Sequence, residues 1–144
     1  MIDHVWTVVC SRSVIDRDSN NVCLLNVLEQ ITVGGKPTAE DVEAIPIEME
    51  VVSLWARSDL DVPTGGAERL TLVSPSGEVL FSGESEIDLS AHRRFRNRAR
   101  FRGLPIREEG RYVFRVESQA DDEVGWHHAA DIPLEVIFEE ESGQ

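Results

Sequence analysis

The apolar residues of this chain recur mainly with a period of two. In the run 94–104, Phe95, Ala99 and Phe101 alternate with Arg94, Arg96, Arg98, Arg100 and Arg102, giving one apolar and one cationic face. Tyr112, Phe114 and Val116 share a face in 112–116, as do Ala130, Ile132, Leu134, Val136 and Phe138 in 126–138. Further runs over 5–15, 45–57, 69–74 and 79–89 are rich in Val, Leu, Ile and aromatic residues. Turn-forming stretches such as DRDSNN, SDLDVPTGG and SPSG bound them. The run 22–33 is ambiguous, because Leu24, Val27, Leu28 and Ile31 also fit a helical stripe. A strand is preferred there, since 5–15 is strongly β and needs a hairpin partner. Pro133 falls on the outward face of the last run, which predicts an edge strand.

Eight short strands with one apolar face each predict an all-β fold, an antiparallel two-sheet sandwich. The 144 residues suit a single domain over 1–138, with 139–144 as a flexible acidic tail. Trp55, Phe81, Phe101, Tyr112 and Phe114 lie on apolar faces and are expected in the core, as are Trp6 and Trp126.

Two segments carry a resemblance. VVCSRSVIDRDSNNVCLLNVLEQI resembles the first hairpin of a group of small bacterial β-sandwich proteins of unknown function. GLPIREEGRYVFRVE resembles the approach to a late strand in immunoglobulin-like sandwiches, where an acid–Gly turn precedes an inward Tyr. The resemblance implies an immunoglobulin-like fold and brings no activity with it.

Charge narrows the partners. Fourteen Lys plus Arg against 27 Asp plus Glu give a net charge of −13, which repels phosphate backbones and anionic membranes at long range. No apolar run reaches the length of a membrane span, and MIDHVWTVVC lacks the basic start of a secretory signal, so a cytoplasmic location is expected. A hairpin turning at Asp18–Asn21 sets Cys10 opposite a position near Glu29 rather than Cys23, and two reduced, buried thiols are expected.

The five arginines of 94–104 extend over about 26 Å. Alone they suggest a phosphate track, but 79–89 presents Glu84, Glu86 and Asp88 with the same period. A tight return through LSAH pairs Asp88 with Arg94, Glu86 with Arg96 and Glu84 with Arg98, and sets Ile87 beside Phe95 and Phe81 beside Phe101. The expectation is a cross-strand ion ladder. The alternative is a partner-binding face formed by Arg94, Arg96, Arg98, Arg100 and Arg102. Nucleic acid is disfavoured, because the aromatics of this strand lie on its other face.

If every connection reverses the chain, Asp16, Asp18, Asp59, Asp61, Asp121, Asp122 and Glu123 share one pole, and a Ca²⁺ site or a metal-dependent hydrolase there is the alternative to the plainer reading of solvated turn acids. DRDSNN is not an EF-hand loop, having Asn21 at its sixth place and Val27 at the twelfth. His127 and His128 point to opposite faces, and His128 is expected to be buried with Trp126 and Ala130. Nucleophile-elbow, P-loop, dinucleotide and zinc motifs are absent from the sequence, and no cofactor is expected. The resulting expectation is a non-catalytic binding or assembly module with a protein partner, or a structural homo-oligomer subunit, with neither nucleic acid nor membrane as partner.

Overall fold

A computed structural model of the chain describes residues 1–34 and 47–139. Every regular element among them is a strand: β1 (Ile2–Ile15), β2 (Val22–Val27), β3 (Gln30–Gly34), β4 (Met49–Arg57), β5 (Thr64–Val73), β6 (Val79–Leu89), β7 (Arg94–Phe101), β8 (Gly110–Ala120) and β9 (His127–Glu139). They form a four-stranded sheet, β2-β1-β4-β7, and a five-stranded sheet, β3-β9-β8-β5-β6, which is curled. All pairings are antiparallel except β3 with β9. Trp55, Met49 and Val9 from the first sheet and Leu72, Ile87, Phe114, Tyr112 and Leu134 from the second bury one shared core.

The single strand expected over 22–33 is two strands in different sheets. Asn26 adopts a left-handed φ of 56°, a conformation Asn tolerates better than most residues. The chain leaves the first sheet there, and after Leu28 and Glu29 it joins β9. Pro133 does not mark an edge strand, since β9 lies between β3 and β8. It is tolerated because β3 accompanies β9 only from Glu135 onward, leaving one side of Pro133 without a ladder. Cys10 pairs with Val27, and both thiols are free. Cys10 is buried, but Cys23 is exposed on the hairpin rather than buried as expected. Glu139 closes β9, and the rest of the acidic tail lies outside the described residues.

The core expectation holds for Trp55, Tyr112 and Phe114, all buried. Phe81 is 38% exposed. Phe101 is half-buried, and so are Trp6 and Trp126. Trp126 packs under the Arg69 guanidinium, 4.5 Å from the ring centroid. His128 is exposed and bonds Asp131 at 3.1 Å. A register shift between Val116 and Glu117 skips Ala129 in β9, and this extra residue reverses the alternation that would have turned His128 inward. No helix among the described residues is long and apolar enough to cross a membrane.

Candidate binding face on the four-stranded sheet

β6 and β7 belong to different sheets, so the ion ladder between them does not form. β7 instead pairs with β4, setting Arg94, Arg96, Arg98 and Arg100 beside Ala56, Leu54, Val52 and Glu50. The core-facing residues of the same strands are Phe95, Ala99, Trp55 and Val51. The arginines therefore occupy the outer face of the first sheet, over a patch that is apolar apart from Glu50.

That outer face is partly roofed. β1 is long, its ladder with β2 keeps one register and lacks only the Ser11–Asn26 pair, where Asn26 has its left-handed φ, and the β1–β2 hairpin reaches the β7 arginines as an arm. Arg98 Nη1 donates to Ser13 Oγ at 3.2 Å, and Arg96 Nη2 donates to the Asn20 carbonyl at 3.0 Å. Ser13 in turn donates to the Glu50 carboxylate, whose other oxygen meets Arg100 Nε at 3.0 Å. Glu50 is 5% exposed although it faces outward, and Val52 and Cys10 beside it are buried too. Burial raises the Cys10 thiol pKa, and the Glu50 charge adds to the rise. β4 is thus covered on both faces from Met49 to Ser53, which fits its mostly apolar sequence.

Two clefts flank the arm. One, of about 430 Å³, is lined by Trp6, Leu54, Arg94, Arg96 and the arm tip at Ser19–Val22. The other, of about 300 Å³, is lined by Arg12, Glu48, Glu50, Arg100 and Arg102. Arg94 and Arg102 are exposed and form no ion pair among the described residues. Trp6 beside Arg94 and Arg96 is a feature the alternation of β7 could not reveal, because it comes from β1.

The acidic residues do not converge on one pole. β4 runs antiparallel to β1, with Arg57 opposite Ile2, so Asp59 and Asp61 lie near the chain start while Asp16 and Asp18 lie beyond the far end of β1. Asp121 joins the former end, its amide bonding the Gly65 carbonyl at 2.9 Å, and Asp122 and Glu123 follow in the same turn. Several of these acids serve their own turns: Asp16 accepts from Ser19 Oγ at 2.8 Å, and Asp59 accepts from the Asp61 amide at 3.0 Å. Ser19 and the Asp18 amide hold the Asp16 carboxyl below its ordinary pKa. Among the described residues no three His, Cys, Asp or Glu side chains are grouped to hold a metal ion.

A second polar cluster lies inside the core, and the sequence reading missed it. Glu68 is 5% exposed and sits on the same face of β5 as Leu70 and Leu72. Asn97 Nδ2 donates to its carboxylate at 2.5 Å and also to Ser85 Oγ, and Ser53 bonds the same carboxylate. Ser53 continues to Thr7 at 2.8 Å and Thr7 to His4 Nε2 at 2.7 Å. Burial raises the Glu68 pKa, outweighing the hydrogen bonds from Ser53 and Asn97 that favour its charged form. The indole N–H of Trp55 lies nearby without reaching hydrogen-bond geometry. None of the clefts described above is lined by Glu68. Had strand β5 been read back to Thr64 rather than begun at Arg69, the parity of Glu68 with Leu70 and Leu72 would have flagged it.

No family model and no curated protein matches the chain. Among solved structures, a family 123 glycoside hydrolase from Clostridium perfringens, studied for glycolipid glycan hydrolysis, is similar with 10% identity and a TM-score of 0.48. The similarity covers 96% of this chain and 28% of the hydrolase chain. A likeness of that degree carries no argument about what this chain does.

Proposed function

We propose that the chain is a non-catalytic binding or assembly module of the cytoplasm, acting through protein–protein contacts made by the arginine face and the strand edge beside it. In this reading the two sheets form an immunoglobulin-like sandwich. Support comes from Tyr112, whose hydroxyl donates to the Glu108 carbonyl at 2.7 Å, the bond that locks a tyrosine corner in such folds. The observation carrying the functional reading is the concentration of Arg94, Arg96, Arg98 and Arg100 on one strand, with Arg102 just past its end, in a chain whose net charge is −13. At about 0.15 M salt the screening length is ~8 Å, so an approaching partner feels this local face more than the distant acids.

The test is calorimetric titration of the full chain with an alternating Glu–Thr decapeptide, with a single-stranded oligonucleotide as comparison. The expected result is saturable peptide binding that disappears in Arg94→Glu/Arg102→Glu. Absence of peptide binding, or tighter binding of the oligonucleotide through Trp6 and the arginines, overturns the reading.

A further inference from the structure

The two strands that fail to pair within the molecule are both sheet edges, and they lie on the same flank. β7 ends the first sheet and β6 ends the second, joined by residues 90–93. Across the flank Asn97 bonds Ser85, and Phe101 meets Phe81 edge-to-face with ring centroids 5.1 Å apart. Both contacts fit one register, the register in which Asp88 lies level with Arg94, Glu86 with Arg96 and Glu84 with Arg98. The backbones nonetheless belong to separate ladders, and core side chains such as Ile87 and Leu89 fill the space between the sheets.

The flank is therefore bridged by side chains, while its two backbone edges stay without a ladder among the described residues. Phe81 and Ser85 point toward the core, yet both are exposed there. Neither β6 nor β7 contains the proline or lysine that commonly guards an edge. What they carry is a row of acids on β6 and a row of arginines on β7, each on the outer face of its sheet. Pairing β7 with another β7 sets arginine against arginine, and β6 with β6 sets acid against acid; only β6 with β7 is favourable. The remaining two edges, β2 and β3, contain no charged residue at all.

We propose that a second copy of this chain occupies this flank, in a closed two-fold dimer whose axis runs parallel to the strands. Such an axis exchanges the two sheets and leaves heights along the strands unchanged. It lays β7 of each copy against β6 of the other, antiparallel and in the register already present inside the molecule. Arg94 then meets the partner's Asp88, Arg96 the partner's Glu86 and Arg98 the partner's Glu84. Both sheets continue across the contact, and the interface is isologous, so assembly stops at two. The proposal rests on the reading that the chain works through protein–protein contacts and names the partner for its arginine edge.

Sedimentation of the full chain at increasing concentration, together with a charge exchange between Arg96 and Glu86, tests it. The wild type should reach twice the 16.1 kDa chain mass. Arg96→Glu and Glu86→Arg should each weaken self-association by about tenfold or more, since each change acts at both symmetry-related contacts. A one-to-one mixture of the two variants should restore association, because each then offers the edge the other lacks; zipping of β6 to β7 within one chain cannot be rescued by mixing. A wild type that stays monomeric throughout, or a mixture no better than either variant, overturns the dimer. A monomer that still binds the acidic peptide removes the dimer alone, whereas one that binds neither removes the functional reading as well.

Discussion

The arm over the arginine face hangs on Glu50, and replacing it by Ala tests that directly. Glu50 is buried, accepts from Ser13 and meets Arg100, whose side chain is 67% exposed. Leaving the buried Ser13 hydroxyl without its acceptor costs about 1–3 kcal/mol. The pair with an arginine so exposed adds only ~0–1 kcal/mol. Relief from burying a carboxylate acts in the opposite direction, so a net loss of about 2 kcal/mol is expected, equivalent to roughly thirtyfold in the population of the opened arm.

Cys10 reports that opening. It is completely buried beside Glu50, whereas Cys23 is exposed, so a Cys23→Ser background isolates the inner thiol. Its labelling by an aromatic disulfide reagent requires local opening, and Glu50→Ala should accelerate it roughly thirtyfold. Removing the Glu50 charge also lowers the thiol pKa, which speeds labelling by chemistry alone. Ser13→Ala separates the effects: it leaves the carboxylate in place and should still accelerate labelling several-fold. Labelling of both variants at the wild-type rate would refute the clamp.

Three further outcomes follow from the core. Burial holds the Glu68 pKa above its unfolded value, so its contribution to stability is fully present below the unfolded pKa and is lost as pH rises through the folded one. Glu68→Gln should gain stability relative to the wild type as pH rises from about 4 to about 8, and a pH-independent difference in thermal denaturation contradicts this. Phe114→Ala, at a buried site against Phe101, should cost about 3–5 kcal/mol in urea denaturation, and a loss below about 1 kcal/mol contradicts its place in the core. Tyr112→Phe deprives the Glu108 carbonyl of its buried donor and should cost about 1–3 kcal/mol by the same assay; an unchanged midpoint denies the corner any stabilising role.

Alternation alone reveals the β class, most strand positions and the faces of β7 and β8, because a half-buried strand writes its orientation into every second residue. It also gives the level of β6 against β7: the expected Phe81–Phe101 neighbours do touch, at 5.1 Å. Alternation does not specify which strand lies alongside. The acids of β6 and the arginines of β7 match equally well whether the contact is a ladder or two edges separated by a core. The arm was hidden for a related reason: β4 carries apolar residues at Val51 and Trp55 and also at Val52 and Leu54, and nothing in it says that one of its faces is covered by a hairpin from β1. Glu68 lies one residue before the run 69–74, so its unchanged parity with Leu70 and Leu72 went unread, whereas the bulge that turns His128 outward inserts a residue and shifts parity without altering composition.

Hydrogen exchange of the full chain, measured by mass spectrometry at low and high protein concentration, bears most directly on the claim that the β6–β7 flank is the contact surface. The account predicts that peptides covering Val79–Leu89 and Arg94–Phe101 exchange more slowly at high concentration while β2 and β3 do not change. Exchange in β6 and β7 that is independent of concentration, with protection appearing elsewhere or nowhere, would contradict it.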